Sequence, residues 1–231
     1  MTQKRITKQQ MKEDHFVTAV FRAREWAEVN LNTILIAAGA LIIVAVAIWF
    51  FIGQSSRESQ ESYDLLGRAE VETRNNQAQI AMIDFQKVID DFGGTPAAKL
   101  AALKLASLYF ATNDYEKAER AFRKYADDYA IDKISRLSAL EGIAASQSAS
   151  GKYQDAAKQY LEVARKDTTS VTYESDLFGA VSNAIKANDQ ATAKEAFGYL
   201  QKKGATSEKF RTAKILMIEK GFLTYDKGEY N

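Results

Sequence analysis

The chain has 231 residues, of which 46% are hydrophobic and 26% are charged, and its formal net charge is +1. A nucleic-acid-binding protein usually carries a strong basic excess, so this balance argues against one. The absence of Cys excludes disulfides and thiolate metal sites, and the single histidine, His15, excludes a His-based triad or a multi-His metal site. One Pro among abundant Ala, Lys, Glu and Leu favours an all-α fold.

An uncharged stretch of 28 residues near the N-terminus contains the apolar segment 31–52. As a helix, this segment would be about 33 Å long, which is enough to cross a hydrocarbon core of about 30 Å. Trp26 and Trp49 lie near its two ends, as aromatic residues do at membrane interfaces. A buried core helix rarely goes so long without a charge, and the apolar core of a cleaved signal peptide is usually about 7–15 residues long. We expect a transmembrane helix over residues 31–53.

Basic residues are distributed unevenly around this segment. Residues 1–28 contain six Lys and Arg residues, whereas the stretch from Gly53 to Glu72 contains two. The positive-inside rule predicts that residues 1–30 form a cytoplasmic tail and that residues 54–231 lie across the membrane. A short amphipathic pattern in the tail suits either a helix in the headgroup plane or an extension of the membrane helix.

A small residue followed four places later by an aromatic residue recurs in the distal part of the chain. The four pairs are Ala81 with Phe85, Ala118 with Phe122, Ala156 with Tyr160, and Ala193 with Phe197. Successive alanines are 37, 38 and 37 residues apart, and an Asn-, Asp-, Ser- or Gly-containing turn signal precedes each one. Residues four apart share a helix face, where Ala allows close approach and the aromatic fills the adjacent space. The spacing predicts four helical hairpins, and part of a fifth from about residue 207 to a turn at 227–228.

The stretch LASLYFATNDYEKAERAFRKYADDYA resembles a tetratricopeptide repeat. The turn, aromatic, Ala and Phe positions of that family match Asn113, Tyr115, Ala118 and Phe122. The resemblance covers about residues 57–231 and implies an α-solenoid, in which these repeat residues pack the hairpins together.

Binding sites in such arrays usually lie on the concave face, which the first helix of each hairpin forms. Several outward positions there are apolar, and an apolar face would suit an extended hydrophobic peptide. The candidate protein-binding groove consists of Leu100, Leu103, Phe110, Phe178 and Ile185. The alternative is that these side chains are buried against neighbouring helices. The sequence predicts no catalytic residue, cofactor or metal site.

The order and proportions of tail, apolar helix and repeat domain resemble the bacterial YfgM-type family of single-pass inner-membrane proteins, which are ancillary to the Sec translocon. The resemblance implies a non-catalytic protein-binding module at the periplasmic face, with the N-terminus in the cytoplasm. Its implied partners are translocon components, a membrane-anchored chaperone and exported clients, with neither nucleic acid nor a small-molecule substrate. The alternative is a structural scaffold that docks one fixed partner in an envelope complex.

Overall fold

The computed structural model describes the backbone of residues 8–224 and the side chains of residues 17–224, apart from 51–53, 55 and 56. Within this range the chain forms α-helices and no strand, which confirms the predicted all-α class. The helices are α1 (Lys8–Val29), α2 (Leu31–Arg74), α3 (Ala78–Asp91), α4 (Pro96–Ala111), α5 (Tyr115–Lys124), α6 (Lys133–Ala149), α7 (Tyr153–Lys166), α8 (Tyr173–Lys186), α9 (Gln190–Gly204) and α10 (Glu208–Glu219). The chain divides into two units between Arg57 and Glu58.

In the first unit, the helical hydrogen-bond pattern continues from α1 into α2 across Asn30. The Asn30 amide donates to the Trp26 carbonyl at 3.0 Å, and the Ile34 amide donates to the Asn30 carbonyl at 3.0 Å. The backbone hydrogen bonds therefore link the end of α1 to the start of α2.

One segment of α2, Leu31–Phe50, is long and apolar enough to cross a membrane, and none of it is buried. By length and composition this segment suits a membrane span or a signal sequence.

The second unit is an α-solenoid of helical hairpins. The end of α2 and helices α4, α6, α8 and α10 are the first helices, and α3, α5, α7 and α9 are the second helices. From α3 to α10, each helix contacts the next one along the chain. This nearest-neighbour packing is what the repeat spacing predicts.

Every first helix ends in the same turn, at a residue with φ between 57° and 82°. These left-handed residues are Asn76, Asn113, Gly151, Asn188 and Gly221. In each turn, the amide of this residue donates to the carbonyl three positions earlier, and the following amide donates to the carbonyl five positions before itself. This is the Schellman motif, and it requires a residue that tolerates positive φ, as Gly and Asn do. The first four turns lie where the sequence predicts them.

The fifth first helix begins after Ser207, as expected, but it ends earlier than predicted. The Ser207 hydroxyl accepts from the Phe210 amide, and α10 stops at Glu219 because Gly221 adopts the left-handed conformation. Gly221 follows Asn188 by 33 residues, close to the usual repeat of about 34. The turn predicted at 227–228 lies outside the described residues.

A π-helical turn, Tyr125–Tyr129, continues α5. The Ala130 amide donates to the Tyr125 carbonyl at 2.9 Å, which is the five-residue spacing of a π turn. The repeat from Asn113 to Gly151 contains this turn and is one residue longer than its neighbours. A π turn holds one more residue than an α turn, so it accommodates the extra residue within the helix.

The Ala–aromatic pairs lie in the hairpin core, as predicted. All four alanines are fully buried, and the three phenylalanines are between 1% and 7% exposed. Tyr160 differs because it is only half-buried. Tyr160 is less buried than the phenylalanines because it lines a cavity on the face of the first helices.

Candidate protein-binding face

The five residues of the predicted groove lie on two first helices. Leu100, Leu103 and Phe110 are on α4, whereas Phe178 and Ile185 are on α8. Leu100 is 40% exposed and the other four side chains are half-buried. Helix α6, which follows α4 and precedes α8 among the first helices, contributes no residue to the predicted set.

The half-buried groove residues pack against the core as well as reaching the surface. Leu103 and Phe110 contact the core of the first hairpins, and the Phe110 ring meets the Tyr115 ring edge-on at 5.4 Å between centroids. Phe178 and Ile185 contact the core of the last hairpins. Burial against neighbouring helices therefore accounts for part of each of these four side chains.

Between α6 and α8, the face of the first helices opens into a cavity of about 380 Å³, named here the acidic cavity. Its lining includes Glu141 on α6, Tyr160 on α7, Asp176 on α8 and Thr172 in the loop before α8. Two carboxyl groups line the cavity, and no Lys or Arg does.

The sequence analysis assigned no role to Asp176. The missed signal is a carboxylate within an apolar helical stripe, because Asp176 shares its helix face with buried Tyr173 and Ala180, three residues before it and four after it. A charged residue at such spacing on a core-facing stripe is uncommon unless it is paired.

The Asp176 carboxyl is confined, since this residue is only 4% exposed. The Thr172 hydroxyl donates to Glu141 Oε1 at 2.8 Å and also reaches the Asp176 carboxyl. Within the part of the chain that the structure describes, neither Glu141 nor Asp176 forms an ion pair. Burial, followed by repulsion from Glu141, raises the pKa of Asp176 to about 7, although the Thr172 hydroxyl acts in the opposite direction.

The Tyr160 hydroxyl responds to the same surroundings. Burial raises its pKa, and the carboxylates of Asp176 and Glu141 raise it further. The raised pKa values of Tyr160 and Asp176 mean that both groups favour their uncharged forms inside the acidic cavity.

A second cavity on this face lies between the end of α2 and α4, and its volume is about 290 Å³. It also contains a carboxylate, Glu70, but here Lys104 Nζ lies 3.2 Å from Glu70 Oε1. Lys104 lies nine residues before Asn113, the left-handed residue of the turn that ends α4. The residues nine positions before the corresponding turns of α6 and α8 are Gly142 and Gly179. The acidic cavity therefore lacks the cation that its counterpart contains.

These two glycines also contact the aromatic residues of the preceding second helices. A Cβ added to Gly142 would lie 2.7 Å from the Phe122 ring, and one added to Gly179 would lie 3.1 Å from the Tyr160 ring. The helices can approach this closely only because no side chain intervenes.

The described residues contain no group of three or more His, Cys, Asp or Glu side chains arranged to hold a metal ion. The face of the first helices presents apolar side chains on α4 and α8, two carboxyl groups between α6 and α8, and the Lys104–Glu70 ion pair between α2 and α4.

A family model for a tetratricopeptide repeat-like domain matches residues 24–197. The chain belongs to the tetratricopeptide repeat-like family. Domains of this family are typically non-catalytic modules that bind other proteins on an extended face. The match begins ahead of the apolar segment 31–50 and ends within α9, the fourth of the second helices.

Solved structures with the same repeat architecture agree with this assignment. A tetratricopeptide repeat protein from Parabacteroides merdae aligns with 70% of this chain and 60% of its own length, at 11% identity and a TM-score of 0.59. The nearly identical TPR-like repeats of a kinesin light chain homologue described from Podosopora anserina align with 68% of this chain. The match covers 84% of that structure's own length, at 15% identity and a TM-score of 0.51. At these identities the likeness concerns the fold alone. A comparison with curated proteins finds no match.

Proposed function

We propose that the protein is a membrane-anchored, non-catalytic protein-binding module at the periplasmic face of the bacterial inner membrane, where it assists exported or membrane proteins near the translocon. The observation that carries the proposal is a tetratricopeptide-like solenoid whose first helices present apolar side chains beside open cavities. The proposed partners are translocon components, a membrane-anchored chaperone and exported clients.

Two features support the membrane anchor. The helix segment Leu31–Phe50 is apolar and entirely unburied, which suits lipid better than water. The family match includes this segment together with the repeats, as expected for an anchor that is retained. The excess of Lys and Arg before the segment supports a cytoplasmic N-terminus, and the resemblance to the YfgM-type family supports the translocon role.

Site-specific photo-crosslinking tests client binding in the full-length protein in its native membrane. A photoreactive residue at exposed Ser107 on α4 reports on the face without replacing a groove residue. We expect crosslinks to several exported proteins, and several-fold weaker crosslinks after Phe110→Ser combined with Phe178→Ser, because aromatic anchors supply much of an interface's affinity.

The matched control is Ile80→Ser combined with Ile83→Ser, which alters two exposed apolar residues on the second helix α3. Since Phe110 and Phe178 also pack against the core, melting curves accompany the crosslinks, and exposed Leu100→Ser provides a milder groove variant. Unchanged crosslinks in folded groove variants would contradict client binding. One stoichiometric partner, independent of client load, would instead indicate the fixed scaffold.

A further inference from the structure

A cavity of about 290 Å³ lies between the second helices α3 and α5 and is named here the tyrosine cavity. Its apolar lining includes Ile89 from α3 and Leu105 from α4, which are at most 9% exposed. The rings of Tyr109, Tyr125 and Tyr129 complete this lining. The tyrosine cavity therefore offers an apolar and aromatic surface to a group that enters it from water.

The π-helical turn supplies two of the three tyrosines, since Tyr125 and Tyr129 are its first and last residues. Tyr125 follows the repeat alanine Ala118 by seven positions. At the same position, the other three second helices carry aliphatic side chains that are at most 2% exposed, namely Val88, Val163 and Leu200. The hairpin of α5 thus differs from the others at the cavity itself, and single π turns within helices are frequent at functional sites.

Three basic side chains of α5, Lys117, Arg120 and Lys124, also line the cavity, and the described lining residues include no Asp or Glu. They lie one position before Ala118 and two and six positions after it. No other second helix has more than one basic residue at these positions, which are Ile80, Ile83 and Lys87 in α3, Asp155, Lys158 and Glu162 in α7, and Thr192, Glu195 and Tyr199 in α9. The basic cluster is therefore a property of α5 and not of the repeat.

The tyrosines hold two of the ammonium groups beside the cavity. Lys117 Nζ lies 5.5 Å from the centre of the Tyr109 ring, and Lys124 Nζ lies 5.7 Å from the centre of the Tyr129 ring.

The three cations remain accessible to an anion from outside. Each pairs with a carboxylate three or four residues away along the chain, but their side chains are 54–68% exposed. Such exposed pairs contribute little to stability, so an incoming carboxylate can share or replace them. An adjoining cavity along α3 shares Tyr109 and Lys117 and contains Asp90 and Asp91, which confines the positive charge to the α5 side.

We propose that the tyrosine cavity binds a partner polypeptide through an aromatic side chain flanked by Asp or Glu. The aromatic ring packs against the tyrosines, and the flanking carboxylates accept hydrogen bonds from Lys117, Arg120 and Lys124. Charge complementarity selects this partner, because a basic segment would be repelled and an uncharged one would gain no ion pair. The proposal goes beyond client binding on the face of the first helices, since this cavity lies between second helices and requires a different partner chemistry.

Peptide binding to the full-length protein in detergent micelles tests the proposal. The probe is a fluorescent peptide with capped termini that contains one Phe between Glu residues in a Gly–Ser background. One matched control replaces each Glu by Gln, and the other replaces the Phe by Ala. We expect each control to bind at least tenfold more weakly than the probe in anisotropy titrations at low salt, where exposed charges are least screened.

Two variants locate the source of these preferences. Lys117→Gln combined with Arg120→Gln removes two exposed cations, and we expect it to reduce the preference for Glu over Gln to twofold or less. The matched control is Lys158→Gln combined with Lys166→Gln, which removes two exposed cations from α7 and should keep the full preference. Tyr129→Ala removes one aromatic wall, and we expect it to reduce the preference for Phe over Ala to a similar extent. Melting curves identify any variant that fails to fold, and the cation variant tests the proposal independently of Tyr129→Ala.

Equal binding of the probe and either control peptide to the wild-type protein would overturn the proposal, as would a preference for Glu that survives in the folded Lys117→Gln, Arg120→Gln variant. Self-association of the wild type that this variant loses in sedimentation would assign the cavity to a second copy of the chain instead. Binding of phosphatidylglycerol vesicles in place of the peptide, again lost in this variant, would assign it to a lipid anion. None of these outcomes alters the crosslinks expected at Ser107 on the face of the first helices, so the two functions fail separately.

Discussion

At the scale of single residues, Asp176 combines deep burial with a carboxyl group that forms no ion pair among the residues the structure describes. The groups that face it are Glu141 from α6, Tyr160 from α7 and the Thr172 hydroxyl from the preceding loop. A core residue at this position of α8 would ordinarily be apolar, so the carboxyl lowers the stability of the folded chain whenever it is ionised.

This charge makes stability depend on pH in a specific direction. The pKa of Asp176 is about 7 in the folded protein, against an ordinary value of 3.8, so the folded state holds the proton more tightly. The resulting stabilisation is complete below about pH 4 and is lost as the pH rises through about 7. We expect Asp176→Asn to exceed the wild type in free energy of unfolding by about 1–3 kcal/mol at pH 8, and to approach it near pH 4.

Urea unfolding of the full-length protein in detergent, followed by circular dichroism between pH 4 and pH 8, measures this difference. Asp127→Asn is the matched control, and its stability should follow the wild type across the same range. Parallel curves for Asp176→Asn and the wild type would show that the Asp176 carboxyl is already paired or solvated.

At the scale of helices, glycines within the solenoid have different packing environments. A Cβ at Gly142 on α6 would meet three atoms of the buried Phe122 ring at 2.7–2.8 Å. Gly198 on α9 has no atom within 4 Å of a Cβ placed on it. The first glycine is needed for close approach of α6 to the preceding second helix, whereas the second costs helix stability without a packing gain.

The two positions give opposite predictions for the same substitution. We expect Gly142→Ala to destabilise the protein by about 1–3 kcal/mol, because Phe122 must leave its packed position. Gly198→Ala should stabilise it by about 0.5–1 kcal/mol through the higher helix propensity of Ala. Thermal unfolding followed by circular dichroism compares them, and stabilisation by Gly142→Ala would mean that Phe122 is not packed against α6.

At the scale of the whole molecule, the proposed anchor divides the chain between two compartments. The protein contains no Cys, so a single introduced Cys reports its own location without background. We expect a membrane-impermeant maleimide, applied outside the inner membrane, to label Ser55→Cys and not Thr2→Cys, because Lys and Arg are concentrated before the apolar segment. Both should be labelled after the membrane is permeabilised, and labelling at position 2 alone in intact cells would reverse the proposed orientation.

Turns and helix faces were predictable from the sequence because their causes are local. A left-handed turn needs Asn or Gly at one position, and Asn76, Asn113, Gly151 and Asn188 all occur where the sequence signals a turn. The four-residue spacing of Ala and aromatic residues determines a helix face through the helical period alone. The fifth turn, at Gly221, was missed because the sequence analysis placed it at 227–228, where Gly228 offers the same local signal.

Only the tertiary structure decided which side chains meet across hairpins. Glu141 and Asp176 are 35 residues apart and belong to different hairpins, and stacking of the solenoid brings them to one cavity. The sequence likewise identified Phe110 and Phe178 as outward positions, but their half-burial depends on neighbouring helices. Charge pairing and burial depend on which side chains of different helices pack together, and a local sequence pattern does not determine that packing.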